Sequence, residues 1–212
     1  PTVNRTVALN VGEPAPWFRG RTSSNDRFAF HTAAGRYVVL CLFGSAADPL
    51  AADVLSRLLT QRDRFDDKHA AFFGVSVDAD DERLQRVSDM RPGMRYFWDA
   101  DRSISALYGA LAADGSYAPH TYILDPSLRV LLALPMKQSA SEHVASLRNL
   151  LDHLRPLPAP HRARPQAPVL MLPRVFEPGL CKALIEHYEA RGGQDSGFMR
   201  DIDGKTVLIV DH

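Results

Sequence analysis

Residues 41–52 read CLFGSAADPLAA, and the fold turns on how this stretch is built. Tyr37 to Phe43 make a continuous apolar run, the pattern of a central strand buried on both faces. The run ends at small residues, Gly44 and Ser45. Asp48 then offers a helix cap and Pro49 a first helical residue, whose ring is preset for that position. Leu50, Val54, Leu58 and Phe65 follow at helical spacing, so a buried strand feeds directly into an amphipathic helix.

Outward from this unit the chain alternates. Before it, FAFHTAAGR holds a short strand and a turn at Gly35. After it, AAFFGVSVDAD is a second buried strand, followed by a helix through DERLQRVSDM, residues 81–90. YFWDADRSISALYGAL gives a short strand and a short helix, and HTYILDPSLRVLLALP two strands joined by a turn at Asp125 and Pro126. Ser139 with Glu142 forms a capping box for a helix whose Val144, Leu147, Leu151 and Leu154 share one face. Alternating strands and helices closing in a hairpin plus helix predict an α/β fold. The expected form is a thioredoxin-like three-layer sandwich, a central mixed sheet flanked by helices, over residues 1–154. Composition then changes: RPLPAPHRARPQAP carries five prolines and three arginines and reads as an extended linker over 155–168. Residues 169–212 read as a small α+β segment: VLMLPRVF as a strand, EPGLCKALIEHYEARGG as a helix closed by Gly192, and a hairpin turning at Asp203 and Gly204. One helix and three strands are marginal as an independent domain.

Twenty-five basic residues balance twenty-five acidic ones, so no net field favours nucleic acid or an anionic membrane. The longest apolar run, YVVLCLF, is too short to cross a bilayer, and the default expectation is a soluble cytoplasmic protein. Cys41 and Cys181 fall in different segments, which does not indicate a disulfide framework and agrees with a reducing compartment. With a start at Pro1 and a stop within an apparent strand, the expectation is processing or truncation of a larger parent protein.

The first domain resembles the peroxiredoxin family, in the branch of alkyl hydroperoxide reductase and thiol-specific antioxidant proteins. The resemblance is carried by VGEPAPWF, GRYVVLCLF, DADRSISALYG and TYILDP and covers about residues 10–155. In that family a Thr-Pro-x-x-Cys-like turn puts the peroxidatic cysteine in the first helical turn, where free N–H groups and the helix dipole favour thiolate. Laid over that motif, Asp48 takes the threonine's place, Pro49 the proline's and Ala51 the cysteine's, so the resemblance implies a lost nucleophile. The family's arginine, just before the strand matched by TYILDP, falls near Pro119. A proline there is more similar to thioredoxin, whose cis-proline faces a dithiol, and no Cys-x-x-Cys is present. Asp48 would also oppose a thiolate, although a simple N-cap is its stronger reading. What remains is a vestigial pocket of Ser45, Asp48, Pro49, Pro119 and His120, with no catalytic residue assigned.

Residues 169–212 resemble the opening of iron(II) and 2-oxoglutarate dependent oxygenases of the prolyl 4-hydroxylase-like group, through VLMLPRVFEPGLCKALIEHYEARGG and the hairpin after it. That likeness implies Fe(II) and 2-oxoglutarate for the full-length parent, held by residues beyond His212, and no cofactor or metal ligand in this chain. HYE at His187 has the local spacing of His-x-Asp but lies in a helix without a partner ligand. His31, His69, His143 and His153 have no second ligand at spacing. DADDER at Asp78 to Arg83 lacks the glycine and terminal glutamate of a calcium loop and reads as a helix start. The arginines of HRARP suit a solvated linker. Cys41 reads as core packing, and Cys181 as packing or a redox thiol.

Three functions follow as expectations. The first is a redoxin-like domain without peroxidase chemistry at the front of a larger oxygenase, binding a partner, positioning substrate or holding a homodimer. The second is an atypical thiol peroxidase or reductase using Cys181 or Cys41. The third is a stand-alone thioredoxin-fold binding module.

Overall fold

The computed structural model describes residues 7–137, 139–159, 171–173, 175–193 and 197–209. Its contacts divide the chain into two units, Pro1–Met171 and Leu172–His212.

The first unit is built on a seven-stranded sheet. The strands are β1 (Arg19–Thr22), β2 (Asn25–Ala29), β3 (Tyr37–Gly44), β4 (Ala70–Ser76), β5 (Met94–Trp98), β6 (His120–Leu124) and β7 (Val130–Pro135). Their order across the sheet is β2-β1-β5-β4-β3-β6-β7. The central β3, β4 and β5 run parallel, and β1, β6 and β7 join antiparallel. Helices α1 (Pro49–Leu59), α2 (Ala79–Arg83), α3 (Ser103–Leu107) and α4 (Ala140–His153) follow β3, β4, β5 and β7. This is the expected thioredoxin-like sandwich.

Alternation along β3 separates two cores. Val38, Leu40 and Leu42 face one with Phe30, Phe73, Phe97, Tyr108 and Tyr122. Val39, Cys41 and Phe43 face the other, where Ala51, Val54, Leu55 and Leu58 of α1 meet Val144 and Leu147 of α4. The Ser139–Glu142 capping box forms as expected.

Three expectations are corrected. The helix at 81–90 stops at Arg83, because Gln85 turns into the left-handed region (φ 52°) and Arg86 folds back, its N–H bonding the Asp81 carbonyl. Phe65 is buried but lies beyond α1, after a short 3-10 turn at Arg62–Arg64, so its spacing reflected burial rather than helix. The described residues of VLMLPRVF, Met171 to Pro173 with Val175 and Phe176, pair in no strand, and Val169, Leu170 and Arg174 lie outside the described residues. Of the linker, 155–159 has no regular structure and the rest lies outside them.

The second unit consists, among its described residues, of α5 (Pro178–Arg191) and a hairpin of β8 (Phe198–Ile202) and β9 (Lys205–Ile209). The hairpin turns on Asp203 (φ 52°) and Gly204 (φ 75°), both left-handed as a two-residue turn of this kind requires. Leu180, Leu184, Ile185 and Tyr188 of α5 are all about half exposed or more.

Candidate functional site

Strand β3, inside the sheet between β4 and β6, delivers its C-terminal end to a turn that is heavily hydrogen-bonded. Gly44 takes φ 83°, and a Cβ there would press on the Tyr117 ring at 3.0 Å, so this exit from β3 is reserved for glycine. Ser45 Oγ donates to Asp78 Oδ2 (2.6 Å), and the Ala46 N–H donates to Asp81 Oδ2 (2.8 Å). Asp81 is fully buried and also accepts from Ser76 Oγ (2.7 Å) and Arg86 Nη1 (3.0 Å). Arg86 Nη1 bridges to Asp78 as well (3.0 Å). The Ser45 hydroxyl, ahead of the Asp80 N–H and the Arg86 charge, holds the Asp78 carboxyl below its ordinary range. The early end of α2 thus grips the turn between β3 and α1.

Asp48 then caps α1. Its Oδ1 accepts the Ala51 N–H at 2.9 Å, and its carbonyl accepts the Ala52 N–H at 2.9 Å. Pro49 occupies the first helical turn, needing no N–H partner. Ala51 is 1% exposed and packs into the core shared by α1 and α4. The N–H that an anion would use at this helix start is already bonded to a carboxylate of the chain itself.

Pro119 and His120 do not join this turn. His120 points to the opposite face of the sheet, stacking edgewise on Tyr122 at 4.7 Å, while Thr121 faces the α1 side. With Val7, Ala8, Gly109 and Lys137 they line a cavity of about 280 Å³ whose walls do not include Ser45, Asp48 or Pro49. The expected five-residue pocket is therefore split by strand alternation. The cis peptide bond among the described residues is Arg91–Pro92, so the bond before Pro119 does not share the thioredoxin cis geometry. His120 sits between two carbonyl oxygens, Ala118 (2.8 Å from Nδ1) and Tyr108 (3.1 Å from Nε2). Burial lowers its pKa, and both carbonyls oppose that shift.

Sequence reading missed a buried polar chain behind α1. Thr121 Oγ1 donates to Cys41 Sγ at 3.4 Å and lies 2.9 Å from His143 Nε2. All three residues are fully buried. Desolvation pushes the Cys41 thiol up to about 12, with the Thr121 hydrogen bond opposing, so the thiol stays protonated at neutral pH. The one available signal was His143 falling on the apolar face of α4 beside Val144 and Leu147.

The other candidates scatter. Cys181 is exposed on α5, and His187 lies on the same helix. His69 pairs with Asp66 (2.8 Å), and the His31 ring lies tilted against Trp17 at 5.0 Å. HRARP lies outside the described residues. Among the described residues, no three His, Cys, Asp or Glu side chains converge as a metal site, and no helix is long and apolar enough to cross a membrane.

Comparison with known proteins gives a consistent fold. The profile of the AhpC/TSA family matches residues 11–132. AhpC of Mycobacterium tuberculosis aligns over 69% of this chain and 93% of its own, at 20% identity and a TM-score of 0.54. Peroxidoxin BcpB of the same organism aligns over 69% and 99%, at 17% identity and a TM-score of 0.58. A thiol peroxidase from Chromobacterium violaceum aligns over 70% and 90%, at 15% identity and a TM-score of 0.55. No curated protein matches the chain significantly.

Proposed function

The chain belongs to the AhpC/TSA family, and we propose that its first unit is a member without peroxidase chemistry, serving as a binding, positioning or dimerisation module. The observation that carries this reading is the first turn of α1. Ala51 stands where a nucleophile would be expected from the family motif, and its N–H is bonded to Asp48 rather than free for a thiolate or a peroxide oxygen. The nearby thiol, Cys41, is buried and protonated. The carboxylates Asp48, Asp78 and Asp81 around the turn would further disfavour a thiolate.

The larger setting we propose is an oxygenase of the Fe(II) and 2-oxoglutarate type, resting on the likeness of residues 169–212. Among the described residues no three His, Cys, Asp or Glu side chains converge as a metal site, and in this reading the iron ligands belong to the larger parent.

The test is peroxide consumption by the purified chain with excess dithiol reductant. The expected result is no turnover above buffer, unchanged by Cys41→Ser or Cys181→Ser. Turnover lost on substituting either cysteine would overturn the reading in favour of a thiol peroxidase, with exposed Cys181 the first to examine. The intact mass of the protein from its source tests the oxygenase setting separately: a mass of about 23.5 kDa would remove it.

A further inference from the structure

Two buried histidines, His120 and His143, answer a proton differently. His120 is 4% exposed and its two ring nitrogens face two carbonyl oxygens, so an imidazolium there would find an acceptor for each N–H. His143 is 0% exposed. Because the Thr121 hydroxyl donates to Cys41, His143 Nε2 donates to Thr121 Oγ1, and this network assigns the proton to Nε2. Nδ1 is then a bare lone pair, buried and without a hydrogen-bond partner. A second proton must enter at Nδ1 and create a buried N–H that has no formed hydrogen bond waiting for it, with the Pro135 carbonyl opposing the cost of burial only in part.

No countercharge stands ready among the described residues. β3 presents Cys41 and β6 presents Thr121, α1 adds Ala51, Val54, Leu55 and Leu58 to the same core, and the charged Arg57, Glu142 and Arg148 line a cavity at the seam of α1 and α4. The Pro135 carbonyl on β7 favours the charged form, but burial outweighs it, and Nδ1 makes no hydrogen bond. On α4 itself the nearest carboxylate, Glu142, is turned to Ser139 in the capping box. Burial in α4 is concentrated where the histidine sits: Ala140, His143, Val144 and Leu147 are buried, whereas Leu150, Leu151 and Leu154 are only partly so.

We propose that Cys41, Thr121 and His143 form a proton-gated latch that holds α4 on the sheet at neutral pH and releases it in mild acid, before the rest of the unit unfolds. The lowered pKa of His143, caused by burial, sets the sign. A group held neutral when packed binds more protons when released, so attachment weakens as pH falls below the ordinary histidine value near 6.5. The latch does not depend on whether the domain turns over peroxide.

Hydrogen exchange of the whole chain between pH 7.5 and 5, corrected for intrinsic rates, tests it. The opening equilibrium of α4 amides should rise up to about tenfold per pH unit below the histidine range, while β3, β4 and β5 keep their protection. His143→Gln, which keeps a polar side chain without a titrating ring, should flatten that slope. Should it fail to fold, the double variant His143→Leu with Thr121→Val removes both polar partners and should flatten it equally. His120→Gln should leave it intact. Unchanged α4 protection down to pH 5, simultaneous loss across the sheet, or a slope that survives the His143 variants would each overturn the latch.

Discussion

Two helix starts in this chain are written almost alike, DPLA at α1 and EPGLC at α5, and the structure makes them opposites. At α1 the acidic residue caps the helix with its side chain, the preceding Ser45 and Ala46 are tied to the start of α2, and the third helical residue is sealed in a core. At α5 the Glu177 side chain makes no capping bond, and Cys181 and the apolar residues around it are exposed. A thiol therefore occurs at the helix start that lacks a built environment and is missing from the one that has it. The difference teaches that an acid-proline entry specifies a helix, whereas reactivity requires free N–H groups inside a shaped, desolvated pocket.

The contrast between the two regions is open to direct attack. The largest expected effect is in thiol labelling: Cys181 should react with a disulfide reagent at the rate of an open thiol. Cys41 should be slower by about a thousandfold or more, because it requires the sheet to open. Two equally fast thiols would dissolve the distinction. Next, Phe72→Ala, in the α1-side core at 0% exposure, should cost about 3–5 kcal/mol in chemical denaturation. Leu184→Ala on α5, 54% exposed, should stay within about 0.5 kcal/mol. Comparable losses would mean that α5 is packed after all. The smallest effect sharpens the caps themselves: Asp48→Ala should cost about 1 kcal/mol, and Glu177→Ala close to nothing, by the same denaturant titration. A larger loss at Glu177 would place a capping bond there.

Much of the fold was legible because its signals are local. The apolar run of Tyr37 to Phe43, the Asp48 cap, the Ser139–Glu142 box and the Asp203–Gly204 turn depend on residues within a few positions of one another. The site was less legible because its geometry is set by distant pairings. Pro119 and His120 read as neighbours of the α1 turn until the register of β6 on β3, Leu42 against His120, sends the histidine to the other face. Thr121 and His143 meet Cys41 only after β6 and α4 are placed. The helix at 81–90 failed for the same reason. Arg86 has a good helical neighbourhood, but two carboxylates, Asp78 and Asp81, draw it back. The arrest of a regular pattern by a charged side chain is a tertiary event that periodicity does not contain.

The order of the strands carries a consequence for how the chain reaches this structure in time. The hairpin of β1 and β2 comes first in the sequence and closes locally, Gly20 against Phe28. Its seat is β5, where Thr22 meets Phe97, and β5 in turn rests on β4. The first strands made are therefore among the last that can be stitched in. A growing chain emerging from synthesis must carry this hairpin unattached until Met94 to Trp98 have appeared. Refolding should show early protection in β3 and β4 and late protection in β1, the kinetic signature of a sheet completed by its oldest segment.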